Sequence, residues 1–238
     1  MMARPKAIVA WSSGKDSAYA LHVARQHDVV EVVGVLTTLT DGYERVSMHG
    51  VREELLDLQV RGIGLPCTKV RIPSPCPNEV YERQMGEALE ELRADGVTQV
   101  VFGDLFLRDI RAYREAQLVR VGMQGVFPLW LRDTPTLARE MVQSGMCAVV
   151  TCIDPRVLGR EFAGRRFDDA LFGDLPENVD PCGENGEFHT VVVAGPMLAS
   201  PITVDVGPIV ERDGFVFADV VPVAHHGKRP TPPSVQAG

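Results

Sequence analysis

Ala7-Ile8-Val9-Ala10-Trp11-Ser12-Ser13-Gly14-Lys15-Asp16-Ser17 is the stretch on which the reading of this chain turns. Five apolar residues with a strand-like run give way to small, polar and charged ones, and a helical pattern follows over 16–26. A turn between a strand and a helix is a place where backbone N–H groups and a positive helix end can face a phosphate. Gly14 lets the main chain turn closely, Ser12, Ser13 and Ser17 offer hydroxyl donors, and Lys15 offers a point charge. Asp16 is the informative member. A carboxylate beside a phosphate is costly unless a divalent cation lies between them, so Asp16 is the candidate ligand of Mg²⁺. The string is not a Walker loop. That pattern needs Gly where Val9 stands and Ser or Thr where Asp16 stands. The Gly-x-Gly-x-x-Gly dinucleotide pattern is absent as well.

Outward from this turn, β-branched runs alternate with helical periodicity. Strands are expected over 29–36, 69–72, 97–102, 126–129 and 147–153. Helices are expected around 51–58, 81–92, 110–121 and 137–144. That alternation predicts a Rossmann-like, doubly wound α/β sheet, parallel and covered on both faces. From about residue 154 Gly, Pro and Asp become frequent, and strands follow in hairpin style at 202–206 and 215–217 around Arg212-Asp213-Gly214. The expected organisation is a phosphate-binding domain over 1–145, a smaller α+β domain over 146–223 and a tail over 224–238.

The 238 residues are enough for a self-sufficient core. Basic side chains number 24 against 32 acidic, a formal net charge of −8, which argues against a phosphate-gripping nucleic-acid binder. No apolar run reaches the roughly 20 residues of a membrane span, and the expected location is cytoplasmic. The five cysteines form no Cys-x-x-Cys pair, so they read as thiols rather than as zinc ligands.

A second unusual run is Asp180-Pro181-Cys182-Gly183-Glu184-Asn185-Gly186-Glu187-Phe188-His189-Thr190, just ahead of Val191-Val192-Val193. Two glutamates three apart between glycines are too flexible and too acidic for a core element. The residues alone allow a solvated hairpin approach or a binding loop. Thr37 and Thr38 end the second strand, His49 is isolated, and Gly103-Asp104 ends the fourth strand at the edge where open α/β sheets bind ligands. Asp109, Arg111 and Arg114 open the next helix as a charged face, available for substrate contact or, by default, simply solvated.

The turn at 12–17 resembles the PP-loop, Ser-Gly-Gly-x-Asp-Ser, of the ATP pyrophosphatases, with Ser13 in place of the first glycine. The loop, Met48-His49-Gly50-Val51, Gly103-Asp104-Leu105, Pro128-Leu129-Trp130 and the run at 182–190 follow in the order and approximate spacing of the diphthine–ammonia ligase family. The chain is similar to that family from about residue 5 to about residue 223. The resemblance implies a PP-loop domain of the adenine-nucleotide α-hydrolase type with a small C-terminal domain over its cleft. It implies ATP with Mg²⁺, nucleotide held by Ser12, Ser13, Gly14, Lys15, Asp16, Ser17, Thr37, Met48, His49, Gly103 and Asp104, and cleavage between the α- and β-phosphates. A carboxylate acceptor, a small molecule or a modified protein side chain, would be adenylated, and ammonia would displace AMP. Gly183, Glu184, Asn185, Gly186, Glu187, Phe188, His189 and Thr190 are then the substrate-binding candidates, and Lys15, Asp16, Glu184 and Glu187 the catalytic ones. Glu184 and Glu187 have three roles open to them: holding a cationic substrate, positioning ammonium, or acting as its base. An acceptor activated by ATP needs no covalent enzyme step, so Cys182 reads as a buried thiol. A PP-loop enzyme of tRNA is the alternative that the acidic charge disfavours. A non-enzymatic adenine-nucleotide binder would lack the Lys15-Asp16 pair and the second acidic run. The sequence leaves a homodimer open.

Overall fold

The computed structural model describes residues 3–42, 44–47 and 49–223. Met48 and the stretch 224–238 lie outside them. The first half of the chain alternates as the sequence predicts: β1 (Lys6–Ala10), α1 (Lys15–His27), β2 (Glu31–Thr40), β3 (Arg45–Val46), α2 (Glu53–Ile63), β4 (Cys67–Ile72), α3 (Asn78–Ala94), β5 (Val97–Val101), α4 (Arg108–Arg120), β6 (Gln124–Val126) and α5 (Thr134–Gln143). Five strands are parallel in the order β4–β2–β1–β5–β6, and β3 adds antiparallel to the end of β2. This is the expected Rossmann-like α/β sheet, with the strand order reversing between β1 and β5.

Alternation along β1 shows why the sheet is covered twice. Ala7 and Val9 enter one apolar cluster with α1 and α2, whereas Ile8 enters another with Leu36, Val100 and the α3 and α4 residues Leu89 and Leu118. Some boundaries differ from the expectation. β2 runs on to Thr40 because its far end pairs with both β4 and β3, and the sequence signal for two-residue β3 is too short to see. β6 begins at Gln124, ahead of the apolar run, since the backbone bonds of Gln99–Val101 fix its register.

The remaining strands form a second, antiparallel sheet in the order β8 (Phe188–Ala194), β7 (Cys147–Ile153), β10 (Phe215–Pro222), β9 (Val204–Arg212). A 3₁₀ turn at Arg160–Phe162 and a short helix, α6 (Asp169–Asp174), precede β8. Asp213 and Gly214 both take positive φ, 52° and 80°, in the hairpin turn expected from their sequence. The second sheet is not a separate body. Residues of α1 and α2 share one apolar cluster with β7, β8 and β10. Arg52 grips Asp219 of β10 through two bonds, Nε to Oδ1 at 2.9 Å and Nη2 to Oδ2 at 2.6 Å, and Arg45 adds a third at 3.1 Å.

Candidate active site

The turn after β1 is built as tightly as its small residues allow. Ser13 sits fully buried at φ 69°, the left-handed region that favours glycine, which accounts for glycine in the loop it resembles. Ser17 Oγ donates to the Gly14 carbonyl at 3.0 Å and meets Ser12 Oγ at 3.1 Å, so Ser17 ties the loop together. β8 completes it from outside. The Val192 amide donates to the Ser13 carbonyl at 2.9 Å, and the Lys15 amide donates to Thr190 Oγ1 at 3.1 Å. Gln59 of α2 spans both, donating through Nε2 to Ser13 O at 3.1 Å and Val192 O at 2.7 Å, and accepting from Trp11 Nε1 at 3.2 Å. In the sequence Gln59 carries only one signal, a polar residue among Leu55, Leu56 and Ile63 on the buried face of α2.

Across the turn stands Gly103, where β5 ends. A Cβ there would lie 2.6 Å from the Asp16 carbonyl carbon and 2.8 Å from the Ser17 amide nitrogen, so only glycine lets the two backbones meet. The first amides of α1, left without intrahelical acceptors, therefore face the carboxyl end of the sheet at the reversal point.

A cavity of about 260 Å³ opens there, walled by Ser12, Lys15, Asp16, Ser17, His49, Gly103, Asp104, Arg114, Gly183, Glu184, Gly186, Phe188, His189 and Thr190 among others. The structure thus brings together the 12–17 turn, the end of β5 and much of the 183–190 run. His189 and Thr190 belong to β8 itself rather than to the turn before it. A second cavity, about 560 Å³, continues from the first and is lined by Leu36, Thr37, Thr38, Tyr81, Met85 and Phe102. Tyr81 and Met85, four apart on one face of α3, wall this cavity. The buried Thr37 Oγ1 has no hydrogen-bond partner in the protein.

The charges in the first cavity have distinct environments. Lys15 is 2% exposed, with Nζ 2.8 Å from Asp16 Oδ2 and over the rings of Phe167 and Phe188 at 5.6 and 5.4 Å. Burial alone would lower its pKa, but the Asp16 carboxylate beside it, with Glu184 contributing when ionised, more than offsets this and holds it protonated. The other oxygen of Asp16, Oδ1, is buried without a partner. Glu184 accepts from the Leu105 amide at 2.7 Å, and burial, opposed by that bond, raises its pKa to about 7. Asp104 is also pushed up by burial, against the pull of Arg114 at 2.8 Å. His49 and His189 lie against each other with ring centres 4.6 Å apart and planes tilted by 41°, and burial drives them down to about 4 and about 3, so both are neutral.

The two glutamates of the run part company. Glu187 is 4% exposed and turns inward, where Oε1 accepts from the Asp180 amide at 3.1 Å and Asn185 Nδ2 at 2.9 Å. Neither Glu187 nor Asn185 is among the residues walling the cavity; together they shape the turn that carries Glu184. Cys182 is buried beside Thr134 O, and burial raises its thiol pKa far above the ordinary range. Arg111 stacks on Phe127 and Trp130 away from the cavity, and Asp109 is exposed.

Asp16 Oδ1 fits one requirement of Mg²⁺, an unpaired oxygen beside a phosphate-sized space. Among the described residues no group of three or more His, Cys, Asp or Glu side chains could hold a metal ion. Mg²⁺ commonly takes one or two carboxylates and completes its shell with phosphate oxygens and water, so this donor set suits an ion brought by a nucleotide.

Residues 5–125 match the diphthamide synthase N-terminal domain, and residues 133–218 match the diphthamide synthase C-terminal domain. The chain belongs to the diphthamide synthase family. Relatives named diphthine–ammonia ligase include a protein of Rattus norvegicus, 26% identical over 231 residues that cover 88% of this chain and 86% of the relative. Those of Homo sapiens and Danio rerio are each 25% identical over 88% of this chain, covering 86% and 90% of their own lengths. The two diphthamide synthase matches take in every residue that walls the first cavity. Among the described residues no helix is long and apolar enough to cross a membrane.

Proposed function

We propose that this protein is an ATP-dependent amide ligase that adenylates a substrate carboxylate, releases pyrophosphate, and transfers ammonia to the acyl group with loss of AMP. The observation that carries the reading is the meeting, in one cavity, of the 12–17 turn and a glutamate poised near pKa 7. The diphthine–ammonia ligase name of its relatives fits the same reaction class. The acceptor is a carboxylate, and the nitrogen enters as ammonium.

The adenosine moiety takes the larger cavity, where Thr37 Oγ1 offers a donor and acceptor without a competing protein bond. The β- and γ-phosphates lie over the start of α1, held by the amides of Asp16 and Ser17 and by Ser12, the Lys15 amide being bonded to Thr190. Mg²⁺, when bound by these phosphates and Asp16 Oδ1, would neutralise charge on the departing pyrophosphate. Lys15, fixed between Asp16 and two aromatic rings, keeps Asp16 in place and lowers the cost of gathering anions. Glu184, ionised in about half of the molecules near neutrality, takes a proton from ammonium; the neutral ammonia attacks the acyl carbon, AMP departs with its electron pair, and the nitrogen gives its second proton to the departing phosphate or to water, leaving the neutral amide. β8 and its preceding turn lie over the cavity and limit hydrolysis of the acyl-adenylate.

Incubation with Mg-ATP, ammonium and a panel of carboxylates tests the reading. AMP and pyrophosphate in equal amounts, dependent on the carboxylate, are expected; ADP and phosphate would overturn it.

A further inference from the structure

The path of a nucleotide through these two cavities singles out one further residue, on the proposed reading that adenosine fills the larger and the terminal phosphates the smaller. The α-phosphate must then cross their shared boundary. Six residues wall both cavities: Ala10, Ser12, His49, Phe102, Arg114 and His189. His49 and His189 are neutral, so Arg114 alone among the six carries a positive charge at neutral pH. We infer that Arg114 forms the α-phosphate subsite, binding the adenylate phosphate that the reaction makes and breaks.

The side chain is prepared for an anion. Its guanidinium lies 4.6 Å over the Phe102 ring at the end of β5, which fixes its plane. Its Nε is buried against Asp104 Oδ2 at 2.8 Å, and the side chain keeps 33% of its surface exposed. That pair engages only Nε, on one edge of the guanidinium fork. A phosphate oxygen in the boundary would meet the remaining N–H groups of the fork, and the arginine would offset the repulsion between the phosphate and Asp104, Asp16 and Glu184. A planar, permanently charged fork suits both the ground-state phosphate and the pentacoordinate state at the α-phosphorus.

The test is equilibrium binding of adenosine, AMP and Mg-ATP to the wild type, Arg114→Gln and Arg114→Lys, followed by calorimetry. The wild type should prefer AMP over adenosine by about 10-fold or more, the range of one charge-assisted phosphate contact. Arg114→Gln should erase that preference while adenosine affinity stays within about two-fold, and Arg114→Lys should recover part of it. Equal losses for adenosine and AMP would show a merely structural residue and overturn the proposal. So would an AMP preference that survives in Arg114→Gln. Should the subsite behave as expected while the enzyme forms ADP, the ligase reading falls and the subsite stands. Should the wild type bind none of the three, both fall together.

Discussion

Ser13 and Glu184 each occupy an environment that a free residue would avoid. Ser13 holds a left-handed conformation in a fully buried turn, with Oγ lacking a partner. Ser13→Gly removes the steric penalty and the orphaned hydroxyl together, and is expected to raise stability by about 1 kcal/mol, read as a higher denaturation midpoint. An unchanged or lower midpoint would mean that the serine hydroxyl has a use in the loop. Glu184 is the reverse case, a group whose environment favours activity over stability. Its folded pKa of about 7 lies above its ordinary 4.5, so the folded state binds the proton more tightly than the unfolded chain. The resulting destabilisation is absent below the ordinary value and fully present above about 7. Glu184→Gln should therefore be more stable than wild type at pH 8 but equal to it near pH 4. The same variant should lose amide formation by about 100-fold or more, as expected for a lost general base. In the wild type, the pH–rate profile should fall below about pH 7 as the carboxylate is protonated.

At the level of elements, the active cavity depends on how closely β5 approaches α1. Gly103→Ala places a methyl group 2.6 Å from the Asp16 carbonyl carbon, where only backbone can yield. The expected cost is about 1–3 kcal/mol of stability, together with loss of nucleotide affinity; retained affinity would show that the turn tolerates displacement. Gln59→Leu should cost a similar amount, because Ser13 O and Val192 O lose a donor inside the core. These contacts also explain what the sequence revealed and what it hid. The strand–turn–helix at 7–27 was legible because apolar period and turn chemistry coincide there within a few residues. So were Gly103, Asp104 and the cavity-lining part of the 183–190 run. The separation of Glu184 from Glu187 was not, since their spacing leaves orientation to the fold of a turn with two positive-φ glycines, Gly183 and Gly186. Phe167 was invisible for a different reason: it reaches Lys15 from a segment with no periodicity, by a contact 152 positions away in the chain.

The whole molecule is an α/β sheet and an antiparallel sheet that share a core, with the cavity where they meet. An apolar cluster can slide, so the relative position of the sheets needs directional contacts; the bonds of β8 to the 12–17 turn and Gln59 supply some at one side and the Asp219 cluster supplies others at β10. Asp219 on β10 receives Arg52 from the start of α2 and Arg45 from β3. Arg52's bond holds the Asp219 carboxyl below the usual range, with Arg45 contributing in the same direction. A depressed carboxylate stabilises the fold above its ordinary pKa of 3.8, and this contribution is lost as pH falls through its lower folded value. Asp219→Ala removes the shared acceptor and should cost about 1–3 kcal/mol at neutral pH. Hydrogen exchange should quicken in β9 and β10 and remain unchanged in β1 and β5, because the first sheet keeps its own ladder. Lowering the pH towards 2 should bring variant and wild type together, since the wild-type carboxylate is then protonated. A stability gap that persists undiminished in acid would mean that Asp219 acts through packing, and that the apolar cluster and the bonds of β8 to Ser13, Lys15 and Gln59 position the second sheet over the cavity.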